Sequence, residues 1–257
     1  MLAKIIVPII AGLGAGLGTG IAGLSAAAVI SPMLITFLDV EPYQAVGIAL
    51  ASDVLASAAS AYTYGKNKNL DIRNGVIMMI SVLCFTLAGS FIASLLPGTA
   101  IGGFSVVMTS LLGVKFLVKP VTAAESKMMK KDKKTAAVQS VLCGMMIGFI
   151  CGFVGAGGGM MMLFVLTSVL GYELKTAVGT SVFIMSFTAL TGAASHFIID
   201  KAVPDIFILA MFIIFTLAGA AIAARFANKA SPKVLNRAVG GVLLSLGAVM
   251  IFTEYIF

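Results

Sequence analysis

GFVGAGGGMMMLFVLTSVL, from Gly152 to Leu170, sets a cluster of glycines inside a long uncharged apolar run. Each glycine costs a helix roughly 1 kcal/mol against alanine, so the cluster at Gly155, Gly157, Gly158 and Gly159 marks a break. The same device stands 132 positions earlier, as GIAGLSAAAVISPMLITFL from Gly20 to Leu38. A helix of small residues follows each copy: AVGIALASD from Ala45, and AVGTSVFIM from Ala177. Further on, TLAGS from Thr86 is answered by TLAGA from Thr216. The chain therefore reads as two related halves, each with a helix breaker buried in greasy sequence. Broken helices that meet from two such halves are how secondary transporters build a solute site.

Composition gives the setting. Hydrophobic residues make up 60% of the chain and charged residues 11%, where a soluble domain is roughly a quarter charged. Ile5 to Leu38, Asn74 to Val114 and Thr135 to Tyr172 carry no charge at all. A helix needs about 20 residues to cross the hydrocarbon, so each run holds more than one segment. The expected fold is all-α and polytopic in a membrane. The first apolar stretch is expected to be an uncleaved helix, because it runs into a break that has a partner in the second half.

The net charge of +7 does not point to nucleic acid. Lys119, Lys127, Lys130, Lys131, Lys133 and Lys134 gather in one loop, and no basic stripe is interleaved with aromatics. That pattern is the positive-inside signature, with an added attraction to anionic membrane lipid. Cys84, Cys143 and Cys151 lie scattered in apolar segments and read as small buried hydrophobes. The fifteen methionines read as flexible packing, and neither a metal nor a cofactor is expected.

Five membrane segments are expected in each half. They fall at about 3–22, 25–38, 43–64, 74–96 and 100–118, then at about 136–154, 158–171, 175–198, 205–226 and 236–256. The halves are 1–118 and 136–257, joined by the basic loop 119–135. The second segment of each half reaches only about 21 Å, short of the ~30 Å core. A bent or hairpin-like pair with the glycine break at its tip is the expected shape. Irregular backbone survives at depth only inside protein or beside a wet cavity.

With loop 119–135 cytoplasmic in a cell (inner) membrane, Lys66, Lys68, Arg73, Lys175, Arg225, Lys229, Lys233 and Arg237 fall inside. Asp39, Glu41, Asp200, Asp205 and the link at Leu96, Pro97 and Gly98 fall outside, as do both termini. An odd number of segments per half turns the second half upside down relative to the first. The result is a pair of inverted repeats, the arrangement tied to alternating access.

The glycine break, the apolar stretch after it and the AVG helix together resemble the sulfite exporter TauE/SafE family, also called the 4-toluene-sulfonate uptake permease family or DUF81. The likeness covers nearly the whole chain. It is closest at GFVGAGGGMMM from Gly152 and AVGTS from Ala177. The first half is looser, with Ser25, Ala26 and Ala27 where the second has Gly157, Gly158 and Gly159. Pro32 follows the family habit of a proline after the glycines, and Phe164 replaces it in the second half. The resemblance implies transport of small sulfur-containing anions such as sulfite, thiosulfate or organosulfonates.

A helix N-terminus can hold such an oxyanion without an arginine, through unpaired N–H groups and a partial positive charge. Gly155, Gly157, Gly158 and Gly159 are candidates to open one such start, and Gly23 and Ser25 to open its partner. Close packing of small residues is the competing reading. Thr180 and Ser181, matched in the first half by Ser52, Ser57 and Ser60, offer hydroxyl donors, unless they merely bond the carbonyl four residues back.

Asp53 stands mid-segment with no Lys or Arg in the segment to pair with it. An ionised carboxylate at that depth costs about 2.5–3.5 kcal/mol on insertion scales. It reads as a group facing the cavity that carries a coupling proton or holds Na⁺; a structural aspartate bonded by Ser or Thr is the alternative. Its mate in the second half is Met185. His196, the sole histidine, reads as an interfacial residue.

The sequence thus points to a secondary transporter, with a passive anion channel of the same fold as the alternative. No P-loop, HExxH or paired-carboxylate arrangement supports an enzyme. A homo-oligomer is left open.

Overall fold

The computed structural model describes residues 2–93, 111, 113–120, 128, 131–154, 158–200 and 204–255, and every regular element among them is helical. The helices are α1 (Ala3–Ala22), α2 (Ala27–Leu38), α3 (Pro42–Lys66), α4 (Ile72–Ala93), α5 (Lys133–Val154), α6 (Gly158–Phe164), α7 (Leu174–Asp200), α8 (Ile206–Lys229) and α9 (Pro232–Tyr255). Residues 113–118 are also helical. The rest of the segment expected at 100–118, and the link at Leu96, Pro97 and Gly98, lie outside the described residues. Among those described, α1, α3, α5, α7 and α8 supply five stretches long and apolar enough to cross a membrane. Large hydrophobics such as Ile10, Leu55, Leu87, Ile214 and Ile222 lie exposed on the helices. A lipid-facing belt accounts for such a surface, which water would not tolerate.

The first helix break has a local cause. Gly23 takes φ 63°, and its N–H turns back to Thr19 O at 2.9 Å. Leu24 N–H reaches Gly18 O at 3.4 Å, and Thr19 Oγ1 donates to Leu24 O at 2.8 Å. Carbonyls at the end of α1 are thereby satisfied without water, as a buried helix end requires. The chain reverses and α2, only 12 residues long, runs back. In the second half α6 passes into a π-helical turn, Val165–Val169, and Gly171 at φ 68° leads into α7. The expected short segments at 25–38 and 158–171 correspond to these two stretches.

Small residues set the packing. α1 lies along α8, where Thr216 O occupies the place a side chain on Gly16 would need, and a Cβ on Gly20 would come 2.6 Å from Ala220 O. α5 lies along α4 in the same manner, with Gly144 against Met78 O and Gly148 against Val82 O. Small-xxx-small spacing lets helix backbones approach where the hydrophobic effect gives no drive. The third long pair, α3 with α7, runs antiparallel. Gly47 near the start of α3 meets His196 and Phe197 near the end of α7, and Gly179 near the start of α7 meets Tyr64 and the Asn69 carbonyl at the end of α3.

The two ends of the bundle differ. At one, Lys4 Nζ bonds Asp205 Oδ2 at 3.1 Å, joining the starts of α1 and α8. At the other, Asn69 Nδ2 bonds Asn228 Oδ1 at 2.7 Å and Lys175 Nζ bonds Asn228 O at 2.8 Å. This second end brings together the end of α3 with Lys66 and Lys68, the starts of α4 and α7, and the end of α8 with Lys229. Lys66, Lys68, Lys175 and Lys229 thus share one end of the bundle, and Lys4 lies at the other.

Candidate functional site

The tips of the two breaks meet. A Cβ on Gly159 would lie 2.9 Å from Ser25 N, 3.1 Å from Gly23 O and 3.2 Å from Met185 Sδ. Any residue larger than glycine at 159 would hold the halves apart. From α7, Ser181 reaches the same place and donates to Gly23 O at 3.2 Å. Its hydroxyl also lies 3.7 Å from Met185 Sδ, so Met185 faces the contact too.

Asp53 enters from α3 and is 1% exposed. Its Oδ2 accepts from Ser25 Oγ at 2.9 Å and from Ala26 N–H at 3.1 Å, and its Oδ1 accepts from Ser57 Oγ at 2.8 Å. Ala27 N–H turns to Ser25 Oγ at 3.3 Å. The carboxylate therefore caps the start of α2 from a neighbouring helix. Three donors and the positive end of the α2 dipole offset part of the cost of burying charge. No basic side chain pairs with it among the described residues.

Of the residues singled out in the sequence, Gly23, Ser25, Asp53, Ser57, Gly159 and Ser181 come together here. Gly158 opens α6 next to Gly159, and Gly155 and Gly157 lie outside the described residues. Ser52 bonds Ile48 O at 2.8 Å, four residues back on its own helix. Ser60 is buried and its Oγ has no partner among the described residues. Thr180, one residue from Ser181 but about 100° round the helix, points to the basic end and accepts from Asp71 N–H at 3.2 Å. His196 is half-buried beside Gly47. Cys84 is exposed, Cys143 buried and Cys151 half-buried, all as free thiols. No group of three or more His, Cys, Asp or Glu is placed to hold a metal among the described residues.

Asp53 was expected to face a cavity. Two hollows are described, and the break residues line neither. One, about 610 Å³, lies between α3 and α7 beside Ala58, Tyr62, Lys66, Phe183 and Phe187. The other, about 270 Å³, lies at the basic end. The reason is visible in the bonds: the carboxylate itself fills the helix start that the sequence suggested for an external anion. Sequence reasoning also missed Asp71, which accepts from Asn74 N–H at 3.1 Å, Asn74 Nδ2 at 2.7 Å and Tyr172 Oη at 2.9 Å. Its signal was present, an aspartate just ahead of a helix start.

Comparison with known proteins agrees with this picture. Residues 8–250 match the family described as sulfite exporter TauE/SafE. Among curated relatives, probable membrane transporter protein YunE of Bacillus subtilis is 26% identical over 213 residues, covering 75% of this chain and 78% of its own. Probable membrane transporter protein YdhB of the same organism is 22% identical over 232 residues, covering 88% and 94%. Probable membrane transporter protein MJ0441 of Methanocaldococcus jannaschii is 25% identical over 219 residues, covering 80% and 78%. No solved structure matches the chain significantly.

Proposed function

The chain belongs to the sulfite exporter TauE/SafE family, and from that premise we propose that it is a secondary transporter of small sulfur-containing anions, coupled through Asp53. That it is a multi-pass membrane transporter and not an enzyme follows from the family and from relatives named as transporters. Sulfite is the anion in the family's description, and thiosulfate and organosulfonates complete the substrate class proposed from the resemblance.

The observation that carries the coupling is the Asp53 carboxylate seated on Ser25 Oγ and Ala26 N–H. A substrate oxyanion needs the same donors. Two anions cannot share one helix start at this depth, so Asp53 must give up its charge or its place when substrate binds. A proton taken up by Asp53 does this and moves with the anion; Na⁺ held by the carboxylate is the other form of the same coupling. Ser57 and Ser181 stand beside the vacated donors, and Gly159 supplies the facing wall. Ser52 and Thr180, engaged elsewhere in this arrangement, would reach substrate only after α3 or α7 turns.

Inverted repeats 1–118 and 136–257, joined by the cytoplasmic loop 119–135, belong to the same proposal. Support comes from the antiparallel packing of the matched helices α3 and α7, in which the Gly47–His196 and Gly179–Tyr64 contacts exchange when the halves are swapped. Repeats related by an axis along the membrane normal would set matched helices parallel. A closed contact between the two tips is then the seal that alternating access must open.

The test is flux of radiolabelled sulfite and thiosulfate into proteoliposomes with an imposed proton or sodium gradient. Uphill accumulation that follows one gradient is expected, and Asp53→Asn should lower the gradient-driven component by at least about 10-fold. Transport that only runs downhill would establish the passive channel instead. Accumulation by Asp53→Asn with an undiminished response to both gradients would remove Asp53 from the coupling.

A further inference from the structure

The Asp53 carboxylate is compensated on one side more than on the other. On the α2 side, Ser25 Oγ and Ala26 N–H donate to it. The end of α1 also approaches it, and the carbonyls of a helix end carry a partial negative charge. Thr19, in the last turn of α1, is within hydrogen-bonding reach of the carboxylate. The single proton of its hydroxyl already faces Leu24 O at 2.8 Å and Ala15 O at 3.1 Å. No backbone N–H donates to Leu24 O among the described residues. Three acceptors therefore compete for one proton, in a place where neither Thr19 nor Asp53 is more than 1% exposed.

Buried oxygens that outnumber the protons between them suit a cation. One carboxylate among neutral oxygens balances a single positive charge, and a divalent ion would leave the excess buried. The oxygens are closely spaced: Ser25 Oγ and Ser57 Oγ lie 2.9 Å and 2.8 Å from the carboxylate, and Thr19 Oγ1 lies 2.8 Å from Leu24 O. Close spacing favours a small, hard ion over a large one. In discontinuous membrane helices, unwound carbonyls and helix C-terminal ends take the Na⁺ while helix starts take the anion. A proton on Asp53 would leave Leu24 O dependent on the shared Thr19 hydroxyl, whereas a metal ion serves both oxygens at once.

We propose, on the footing that Asp53 is the coupling group, that the coupled ion is Na⁺, held by Asp53 with Thr19 Oγ1, Leu24 O, Ser25 Oγ and Ser57 Oγ between the end of α1 and the middle of α3. The hydroxyl protons have other places to go: Thr19 keeps Ala15 O, and Ser57 has the carbonyl four residues back on its own helix. Na⁺ draws the carboxylate toward α1 and off Ala26 N–H, which opens the α2 start to the substrate anion. Each solute then strengthens binding of the other by the same factor.

Melting curves of the full chain in detergent, without solute, test this in NaCl, KCl and choline chloride at about 150 mM each. Na⁺ should raise the melting temperature by several degrees over K⁺ and choline. Asp53→Asn should abolish the difference. Thr19→Val and Ser57→Ala should each raise the Na⁺ concentration for half the shift about 10-fold, and Thr19→Ser, which keeps the oxygen, should bring it back. Equal melting temperatures in the three salts, a Na⁺ shift that survives Asp53→Asn, or a shift indifferent to both hydroxyl deletions would each overturn the Na⁺ site. Proton coupling through Asp53 survives that failure. An undiminished gradient response of Asp53→Asn, by contrast, removes the coupling role and leaves the Na⁺ shift of the native chain standing.

Discussion

The two helix breaks occupy matching places in the chain and are built in opposite ways. At the first, hydroxyls and a carboxylate gather: Ser25, Ser57 and Asp53 with the N–H of Ala26. At the second, the corresponding helix brings Met185 against Gly159, and the polar contact is Ser181 on a carbonyl of the other half. One tip carries ionisable chemistry; the other is a close-fitting glycine surface that presses on it. A charge at both tips would place two carboxylates in one dry contact, where one of them could not ionise. The asymmetry therefore suits a coupling group owned by one half alone.

The largest way to break this contrast is to strip the polar tip. Asp53→Leu leaves Ser25 Oγ, Ala26 N–H and Ser57 Oγ without their acceptor. At about 1–3 kcal/mol for each stranded buried group, most of the fold's stability is at risk. A loss of folded protein on gel filtration is expected. Met185→Leu at the matching position keeps shape and volume, so it should cost less than about 1.5 kcal/mol and leave flux near normal. Equal damage from the two would erase the distinction between the tips.

A smaller effect comes from prising the tips apart. Gly159→Ala puts a methyl 2.9 Å from Ser25 N and 3.1 Å from Gly23 O, both backbone atoms that cannot swing aside. About 1–3 kcal/mol of destabilisation is expected, read as a fall of several degrees in melting temperature. Gly14→Ala on α1, where nothing lies within 4 Å, is the control and should hold or slightly raise the melting temperature.

Smaller again is the difference between two neighbouring serines. Ser57→Ala removes a bond to a carboxylate, about 1.5–3 kcal/mol, whereas Ser52→Ala removes only a bond within its own helix and should cost well under 1 kcal/mol. Thermal denaturation of the two variants sharpens the boundary of the polar tip.

The least effect lies farthest from the contact. Lys4 beside Asp205, with help from the α8 N–H groups of Ile208 and Phe207, holds the Asp205 carboxyl below its ordinary value of 3.8. Its folded value is the depressed one, so the pair's contribution is complete above that ordinary value and fades as pH falls toward the folded one. The group is exposed, so the change in melting temperature should be slight and should shrink with salt. A melting curve of Lys4→Gln that loses the acid-side dependence confirms the sign; a wild-type melting temperature that rises on acidification reverses it.

Much of this was legible in the sequence. Uncharged apolar runs dictated membrane helices, because backbone polar groups in hydrocarbon must bond within their own segment. Glycines in helical sequence marked two breaks at matching places in the repeat, and Gly23 makes the first of them. The lone carboxylate in α3 was marked by the cost of its charge. Tertiary structure alone decided what that charge rests on. Periodicity cannot show that Asp53 reaches the start of a different helix, or that Thr180 and Ser181 part company round α7 to face Asp71 and Gly23. Those partners are separated by tens to over a hundred residues, and only the packing of small faces against one another brings them within bonding distance.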